Sequence, residues 1–370
     1  MRLIVAVDAL RPPLTGIGRY TWEIVRRLRR RDDLRQLRFF HNGKWVADPA
    51  TLLRDRSGPA LPAKKTPAAV RFARELYWRT TCRFNVFHGP NYFLPHYAQN
   101  GVVTVHDLSV LKFPQAHPLE RVKQFERRFT KSLAIASHLI TDSNTVRDEV
   151  IQDFGWPADR ITAIALGVGE EYRPRSPVAT SEPLRALGLR PGGYVLCVAT
   201  IEPRKRIDAL LAAYRRISPI ARGAFPLVLV GDVGWKSIGL QEDINTAQRE
   251  GWLRYLGYVD SNDLPVLYSG ARLFVYLSEY EGFGLPVAEA MASGVPVLTS
   301  MRSCLPETAC GSALLVDPDD TDEIVGQLLK GLHDDSWRRA GMAAGIAVAS
   351  RYTWDRCTDE TFEIYRRAAR

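Results

Sequence analysis

Residues 194–211 read YVLCVATIEPRKRIDALL, and this stretch indicates the fold class of the chain. A continuous apolar run over residues 194–198 is followed by a polar loop and then by the start of a helix-like segment. Continuous apolar strands that alternate with helices are typical of parallel sheets covered on both faces. We therefore expect an α/β fold.

The same alternation extends from this stretch towards both termini. Short apolar runs occur at residues 3–7, 86–88, 102–106, 139–141, 161–165, 227–230, 273–277, 295–298 and 313–316. A chain of 370 residues is too long for one ordinary core. The sequence therefore predicts two Rossmann-like, doubly wound parallel-sheet domains.

A break in the pattern marks the expected domain boundary. Residues 172–183, YRPRSPVATSEP, contain three prolines in a polar stretch and are the best linker candidate. We assign residues 1–175 to an N-terminal domain and residues 176–370 to a C-terminal domain. Two such domains leave a cleft lined by the loops at the carboxyl ends of the strands, where ligands are expected to bind.

Composition excludes several classes of protein. The chain is 46% hydrophobic and 25% charged, which is ordinary for a globular protein and argues against disorder. Its five cysteines are scattered without a CxxC pair, which favours a reducing compartment over a disulfide framework or a zinc site. No run approaches the roughly 20 apolar residues of a spanning helix. We expect a cytoplasmic protein that is soluble or peripheral on a membrane.

The positive charge of the chain is concentrated near its start. Residues 1–100 contain 19 Lys and Arg against 7 Asp and Glu, a net charge of +12, and the remaining residues have 31 against 34, a net charge of −3. Such a face suits nucleic acid, anionic lipid or an anionic acceptor, and a solvated helix surface is an equal alternative.

Two glycines follow the first apolar run, in LRPPLTGIGRYTWEIVRRL. Gly16 and Gly18 precede a helix that we predict to begin near Arg19. Backbone amides at a helix start can approach a phosphate or sugar oxygen, and a simple tight turn is the alternative. The segment lacks the third glycine and the downstream acid of a dinucleotide fingerprint, which argues against a nicotinamide enzyme.

Two adjacent cations, Arg204 and Lys205, lie at the strand-to-helix junction of residues 194–211. Cations beside a helix N-terminus suit a diphosphate, whose negative charge grows as its bond to a sugar breaks. Surface Lys and Arg are common, so this pair gains weight from its position at the expected cleft.

Residues 278–300, SEYEGFGLPVAEAMASGVPVLTS, carry the strongest functional signal. Glu289 lies eight positions after Glu281, about two helical turns along. We expect one carboxylate to face the cleft and the other to accept hydrogen bonds from the hydroxyls of a ribose. Backbone amides of the glycine-rich turn would contact sugar hydroxyls or phosphate. That turn comprises Gly282, Phe283, Gly284 and Leu285.

Together, EGFGLPVAE, GVPV, EPRK and GIGRY resemble the motifs of family 4 of the retaining glycosyltransferases. The resemblance covers nearly the whole chain, including TVHDL, TDSNT and the final WDRCTDETFEIYRR, and is similar in detail to bacterial O-antigen and exopolysaccharide mannosyltransferases. It implies a GT-B fold whose last helix, about residues 354–370, crosses back to the first domain. It also implies sugar transfer from a nucleotide diphosphate donor. We expect no metal or other cofactor, because fixed cations take the place of a metal ion.

The resemblance also implies roles for individual residues. Lys205 matches the lysine that binds the donor diphosphate, and Glu281 and Glu289 match the acids near the transferred sugar and the ribose. Many members have an arginine where this chain has Ala199 and Thr200, and Arg204 is the candidate replacement.

Further matches concern the sugar and the base. His106 matches a histidine that contacts the donor sugar, and Asp107 is expected to orient the His106 ring or to cap the following helix. The backbone near Tyr258 and Val259 matches the segment that recognises the nucleotide base.

The acceptor is expected to bind the N-terminal domain. His88, Asn91 and Tyr92, in NVFHGPNYFLP, lie in a strand-end loop and could line its pocket, and a packed aromatic loop is an equal alternative. Asp320 and Asp322 form the Asp-x-Asp pair of VDPDDTDEIV, which we interpret as helix capping and not as a metal site.

Mannose from GDP-mannose is the leading donor hypothesis, and a UDP-sugar stays open. A nucleotide-sugar epimerase of the same fold and a nucleic-acid-binding protein are the rival functions. The basic N-terminal segment could instead dock on an anionic membrane that carries a lipid-linked acceptor. That segment comprises Arg26, Arg27, Arg29, Arg30, Arg31 and the stretch RFARELYWRTTCRF.

Overall fold

The computed structural model describes residues 1–14, 16–54, 68–234 and 238–369. The chain forms two compact units. Unit 1 comprises Met1–Pro114, Pro118–Gly167 and Trp354–Arg370, and unit 2 comprises Gln115–His117 and Val168–Thr353.

Strands and helices alternate along the described residues. The strands are β1 (Arg2–Ala6), β2 (Gln36–His41), β3 (Lys44–Val46), β4 (Val86–Gly89), β5 (Asn100–Val105), β6 (Ala136–Thr141), β7 (Ile161–Ala163), β8 (Val195–Val198), β9 (Leu227–Val230), β10 (Leu253–Tyr255), β11 (Leu273–Tyr276), β12 (Val297–Ser300) and β13 (Leu314–Val316). The helices are α1 (Gly16–Leu28), α2 (Ala68–Arg83), α3 (Ser109–Lys112), α4 (Leu119–Ile135), α5 (Asn144–Phe154), α6 (Pro177–Ala186), α7 (Ile207–Arg216), α8 (Pro219–Ala224), α9 (Ile238–Arg249), α10 (Leu264–Gly270), α11 (Leu285–Ala292), α12 (Leu305–Ala309), α13 (Thr321–His333), α14 (Asp335–Ala349) and α15 (Trp354–Ala368).

Each unit is built on one sheet. The first has the order β3-β2-β1-β4-β5-β6-β7 and is parallel except for the edge strand β3, and the second has the order β10-β9-β8-β11-β12-β13 and is parallel throughout. Leu3, Ile4 and Val5 are consecutive in β1 and all fully buried, so both faces of this strand are covered. The two parallel α/β sheets predicted from the apolar runs are confirmed.

The direction of winding reverses once in each sheet. In the first sheet the chain leaves β1 towards β2 and later returns to place β4 on the other side of β1. In the second sheet β9 and β11 flank β8 in the same way. Ligands of open α/β sheets bind beside the carboxyl ends of the strands at such switch points. The two reversals therefore mark the two places where sites are expected.

The final helix, α15, belongs to unit 1. Trp354, Phe362 and Tyr365 are at most 2% exposed, and the Tyr365 hydroxyl lies 2.6 Å from Nδ1 of His88 in β4. Unit 1 thus takes its core from both ends of the chain.

The predicted linker differs from the structure. The division between the units falls between residues 167 and 168, and residues 177–186 form α6. Ser176 caps this helix by accepting a hydrogen bond from the Ala179 amide, and Pro177 occupies its first turn, where proline is tolerated. The prolines that suggested a linker therefore include a helix-start signal.

The described cysteines form no disulfide bonds. No helix in the described ranges has the length and apolar character needed to span a bilayer.

Candidate active site

Lys205 and Glu281 form the centre of a buried polar cluster at the switch point of the second sheet. Lys205 ends a 3₁₀ turn after β8, and Glu281 follows β11. The Lys205 ammonium donates to Oε1 of Glu281 at 2.5 Å and to the Tyr276 hydroxyl at 2.9 Å. The side chains of Lys205 and Glu281 are only 10% and 12% exposed. The structure thus brings together two of the residues predicted to be catalytic.

Glu281 is ionised in this cluster. Its Oε1 also accepts hydrogen bonds from Tyr276 at 2.8 Å and Ser278 at 2.5 Å. Burial acts to raise the pKa of Glu281, but the charges of Lys205 and Arg204 outweigh it and hold the pKa at about 2. Neither Tyr276 nor Ser278 was predicted from the sequence as a site residue. Nothing in the sequence distinguishes a buried tyrosine at the end of a strand from an ordinary core residue.

Arg204 joins the same cluster. Its guanidinium donates to the Tyr280 carbonyl, lies 2.7 Å from Oε1 of Glu202 and is 3.6 Å from Oε1 of Glu281. The Arg204 carbonyl accepts from the Glu279 amide at 2.8 Å, which ties the loop after β8 to the loop after β11. Arg204 therefore adds positive charge beside Lys205. A residue that replaces the arginine of other family members must lie in such a position.

The glycine-rich turn before α11 has a backbone that requires glycine. Gly284 has φ +89°, and a Cβ there would lie 2.6 Å from Cδ2 of Leu305. The ring of Phe283 is buried against Tyr352, and the Phe283 carbonyl accepts from the Thr308 hydroxyl. Only backbone groups of Phe283 suit the predicted donor contact, and Gly282 and Leu285 flank it in the same turn.

The remaining donor-binding candidates of unit 2 lie at two further positions. Glu289 is in α11 and only 5% exposed, and its charge adds to the burial that raises the pKa of Tyr268. Tyr258 and Val259 follow β10, and the Tyr258 side chain is 53% exposed.

Gly16 and Gly18, which we predicted to precede the first helix, lie inside α1. The helix begins at Gly16, three residues earlier than predicted. Gly18 is buried, and a Cβ there would lie 3.0 Å from the Ala9 carbonyl oxygen, so Gly18 allows α1 to pack closely on the loop after β1. At Gly16 a Cβ would meet no atom within 4 Å.

His106 is held by hydrogen bonds at both ring nitrogens. Nε2 lies 2.8 Å from the Pro90 carbonyl and Nδ1 lies 2.8 Å from Oδ2 of Asp142. A carbonyl only accepts, so Nε2 carries a proton, and Nδ1 shares a hydrogen bond with the Asp142 carboxyl group. Burial opposes a positive charge on the ring, but Asp142 outweighs it and raises the pKa of His106. The His106 ring is therefore fixed between the Pro90 carbonyl and the Asp142 carboxyl group.

Asp142 was missed as the partner of His106, although it lies in the TDSNT motif. Of the two roles expected for Asp107, the structure shows the second. Oδ1 of Asp107 accepts from the Ser109 amide at 2.8 Å and the Ser109 hydroxyl at 2.6 Å, which caps the start of α3.

Two of the predicted acceptor residues are core residues. His88 is fully buried between Thr104 and Tyr365, and burial together with the charge of His106 lowers the pKa of His88 to about 3. Tyr92 is 7% exposed and packs on Phe125. The packed-loop alternative therefore holds for these two side chains. Asn91 lines a cavity of unit 1.

Asp320 caps α13 by accepting from the Glu323 amide at 2.9 Å, and Asp322 pairs with Arg216. The Asp320 contact is the capping role interpreted from the sequence, whereas Asp322 forms an exposed ion pair and does not cap the helix. In the described part of the chain, no group of three or more His, Cys, Asp and Glu side chains is placed to hold a metal ion.

Comparison with known proteins adds to this geometry. Residues 14–172 match the model described as Glycosyltransferase Family 4, and residues 189–345 match that described as Glycosyl transferases group 1. O-antigen chain mannosyltransferase B of Escherichia coli is 39% identical over 380 aligned positions, which cover 99% of this chain and 100% of that protein. The chain belongs to glycosyltransferase family 4.

Other relatives of this glycosyltransferase align over a smaller part of their own length or share only its fold. The serotype-specific mannosyltransferase WbdA of Escherichia coli is 30% identical over 243 positions, 64% of this chain and 28% of WbdA. The crystal structure of Anabaena Alr3699/HepE in complex with UDP and glucose matches 98% of both chains with a TM-score of 0.76 and 18% identity. These matches, with the two parallel-sheet units, identify the GT-B fold of the glycosyltransferase.

Proposed function

We propose that this glycosyltransferase transfers mannose from GDP-mannose, with retention of anomeric configuration, to a saccharide or lipid-linked saccharide in cell-surface polysaccharide synthesis. The observation that carries the proposal is the 39% identity, over 99% of the chain, to a protein named as an O-antigen chain mannosyltransferase. The identity of the nucleotide base in the donor is the first part of the proposal to test.

The buried cluster of unit 2 suits the leaving diphosphate. An ammonium has three N–H donors, and Tyr276 and Glu281 take two of those of Lys205 among the described contacts. In the proposed reaction the third donates to a phosphate oxygen, with Arg204 beside it. Fixed positive charge at this position stabilises the negative charge that develops as the sugar–phosphate bond breaks. We propose on this ground that neither a metal nor another cofactor takes part.

The proposed step balances without a covalent intermediate. The bond between the anomeric carbon and the phosphate oxygen breaks, and the acceptor oxygen bonds to the same face of the sugar. The acceptor proton passes to an oxygen of the leaving diphosphate. Glu281 stabilises the positive charge that develops on the sugar, His106 positions the sugar, and Glu289 accepts hydrogen bonds from the ribose hydroxyls. The amides of Gly282–Leu285, the α1 start at Gly16 and Gly18, and the backbone of Tyr258 and Val259 complete the donor contacts.

A donor panel tests this function. Purified protein is incubated with methyl α-mannobioside and GDP-mannose, UDP-glucose or UDP-galactose, each with and without EDTA. We expect a mannosylated product from GDP-mannose alone, unchanged by EDTA, and an α-linkage in the carbon–hydrogen coupling of its new anomeric carbon. Transfer from a UDP-sugar instead would contradict the donor, and release of a free sugar without transfer would favour an epimerase.

The structure changes which segment could meet a membrane. The arginine run at the end of α1 is largely neutralised by acidic side chains of unit 1. Arg27 lies 2.5 Å from Oδ1 of Asp355, and Arg31 lies 2.5 Å from Oδ1 of Asp359. These pairs hold α1 and the residues that follow it to α15, so we assign Arg27 and Arg31 to packing within unit 1.

We propose that α2 and the residue after it provide a peripheral membrane contact at the cytoplasmic face. Phe72, Leu76 and Phe84 are 73%, 58% and 65% exposed. Arg83 is also exposed, as is Arg79, which pairs with Glu75 in the same helix at 2.7 Å. Phe72, Leu76, Arg79 and Arg83 are spaced by three or four residues and so lie along one face of the helix. Exposed apolar groups interleaved with arginine suit an anionic lipid surface.

Liposome sedimentation tests the α2 contact. We expect the protein to sediment with vesicles containing phosphatidylglycerol and not with pure phosphatidylcholine, and Phe72→Ser with Leu76→Ser to abolish this. The control combines Val178→Ser and Ile220→Ser, which remove apolar side chains of unit 2 that are more exposed, at 87% and 85%. Sedimentation that is indifferent to anionic lipid would overturn the membrane proposal.

A further inference from the structure

The loop between β12 and α12 contacts the backbone of Glu281. The Ser303 hydroxyl donates to the Glu281 carbonyl at 2.8 Å and accepts from the Glu281 amide at 3.2 Å. The thiol of Cys304 donates to the same carbonyl at 3.2 Å. A hydroxyl has one donor and two acceptor sites, so Ser303 can make both of its contacts at once. One side chain therefore fixes both polar backbone groups of Glu281, whose carboxylate pairs with Lys205.

Ser303 has an unusual backbone conformation. Its φ is +56°, in the left-handed region that residues other than glycine adopt rarely. Glycine adopts this region without strain, so the backbone alone favours glycine at position 303. A strained residue persists only where the surrounding structure determines its conformation, and such residues cluster at functional sites. The hydrogen bonds to Glu281 supply a reason for serine at this position.

Arg302, the residue before Ser303, is anchored to two other loops. Its guanidinium lies 2.8 Å from Oδ1 of Asp317, which follows β13, and 3.4 Å from Oε1 of Glu279, which follows β11. On the other side of Ser303, Cys304 is fully buried. The position of the Ser303 hydroxyl is thus set by contacts of both neighbouring residues, as a residue that holds another in place requires.

The pair formed by Lys205 and Glu281 depends on the relative position of two loops. Lys205 follows β8 and Glu281 follows β11, and the ammonium and the carboxylate meet at 2.5 Å in a nearly buried site. A displacement of about 1 Å at a catalytic group can lower the rate by about a hundredfold. Because Oε1 of Glu281 also accepts from Tyr276 and Ser278, a shift of the Glu281 backbone would disturb three hydrogen bonds.

We propose that Ser303 is a positioning residue, whose hydroxyl holds the Glu281 backbone where its carboxylate pairs with the Lys205 ammonium. The effect of this pairing on sugar transfer rests on the proposed function, in which Lys205 and Glu281 take part. A direct contact with the donor fits Ser303 less well, because the hydroxyl proton is committed to the Glu281 carbonyl. A role in stability alone is the other alternative, and the left-handed φ makes it testable.

Two variants separate positioning from stability. Ser303→Ala removes the hydroxyl and keeps the strained backbone, whereas Ser303→Gly removes the hydroxyl and relieves the strain. We therefore expect Ser303→Gly to melt at a higher temperature than Ser303→Ala. A positioning role predicts equal losses of pairing and of kcat in the two variants. A role in stability alone predicts a smaller loss in Ser303→Gly.

The first measurement needs no substrate. Lys205→Met, Glu281→Gln and their combination are unfolded in urea, in the wild-type background and in each Ser303 background. The non-additivity of the two changes gives the coupling between Lys205 and Glu281, from which a uniform change in stability cancels. We expect each Ser303 variant to lower this coupling to about half of its wild-type value or less. An unchanged coupling would overturn the positioning role.

The second measurement follows transfer from GDP-mannose. We expect both Ser303 variants to lower kcat by about tenfold and to leave the KM for GDP-mannose within about twofold. In the Glu281→Gln background the same changes should alter kcat by less than about twofold, because the residue through which they act is already changed. A raised KM, or an undiminished effect on kcat in that background, would mean that Ser303 acts on the donor directly and would overturn the inference.

Cys310→Gly is the matched control. Cys310 directly follows α12, is exposed and has φ +45°, so this change relieves the same backbone conformation in the same unit. The Cys310 amide donates to the Pro306 carbonyl at 3.0 Å, and glycine keeps this bond. We expect Cys310→Gly to leave both the coupling and kcat unchanged.

The outcomes separate this inference from the proposed function. If mannose is transferred and the coupling is unchanged in both Ser303 variants, the positioning role is overturned and the function stands. If the coupling falls but kcat does not, Ser303 positions the pair and the proposed catalytic role of Glu281 fails. If GDP-mannose is not a donor, the coupling still decides the positioning role, because it is measured without substrate.

Discussion

The Lys205 ammonium and Oε1 of Glu281 lie 2.5 Å apart, with both side chains nearly buried. Before a donor binds, each charge is therefore neutralised by the other. Removing one partner leaves an uncompensated charge in a buried site, which is more costly than losing the pair together. Experiments on this site must separate the loss of a donor contact from the loss of this internal pairing.

Lys205→Ala should lower kcat by about a hundredfold or more, because one preorganised cation no longer stabilises the leaving diphosphate. Steady-state kinetics with GDP-mannose measure it. The double variant Lys205→Met with Glu281→Gln removes both charges and should recover stability in urea without recovering turnover. Near-normal turnover of Lys205→Ala would contradict the diphosphate assignment.

Glu281 should contribute to stability in a defined pH range. Its pKa falls from the ordinary 4.5 to about 2 in the folded protein, so the contribution is complete above pH 4.5 and is lost as the pH falls towards 2. The shift corresponds to roughly 3 kcal/mol. The difference in free energy of unfolding between wild type and Glu281→Gln, measured in urea, should shrink from pH 7 to pH 3. The exposed Glu363→Gln should show no such trend, and a pH-independent difference at Glu281 would contradict the pairing.

Asp142→Asn should move the alkaline limb of the pH–rate profile to lower pH. Without this carboxylate, burial dominates and lowers the pKa of His106, so the ring loses its charge at a lower pH. Profiles of kcat/KM against pH measure the change. Asp148→Asn, which removes an exposed acid paired with Arg147, is the control. Superimposable profiles for wild type and Asp142→Asn would show that the charge of His106 is not used.

Glu289→Gln should raise the KM for GDP-mannose about tenfold, because the carboxylate that accepts from the ribose hydroxyls is lost. GDP and 2′,3′-dideoxy-GDP are compared as competitive inhibitors. The wild type should prefer GDP, and this preference should largely disappear in Glu289→Gln. An unchanged preference would place the ribose elsewhere.

Tyr365→Phe should destabilise unit 1 by about 1–3 kcal/mol, because it leaves a buried ring nitrogen without its hydrogen-bond partner. The Tyr365 hydroxyl is 2.6 Å from Nδ1 of His88, whose Nε2 is 2.9 Å from the Thr104 hydroxyl. Urea denaturation measures the effect, with the half-exposed Tyr258→Phe as the control for loss of a hydroxyl. Equal stabilities would show that water replaces the tyrosine.

The fold could be predicted because parallel strands differ from other segments in local composition. The runs at residues 227–230 and 273–277 are apolar at every position, which covered strands require and exposed strands do not. Lys205 and Glu281 could be nominated because both follow such strands. Their 2.5 Å contact could not, since it depends on the order of β8 and β11 in the sheet.

The errors have a common physical cause. Asp142 and Tyr276 contact partners that are distant in sequence, His106 and Lys205. Ser278 contacts Glu281 across a turn, and residue type alone does not determine the shape of that turn. His88 was placed in the acceptor pocket because a strand-end histidine is compatible with a ligand site. Its two buried partners, Thr104 and Tyr365, are 16 and 277 positions away and have no local signature.

The return of α15 to unit 1 sets an order for biosynthesis. Residues 1–167 leave the ribosome before the segment 354–370 that completes their core, whereas all of residues 168–353 are available earlier than that helix. Domains usually fold as they emerge, N-terminal first. Here unit 2 can reach its native state first, whereas unit 1 cannot complete its core until the last helix, α15, has been translated.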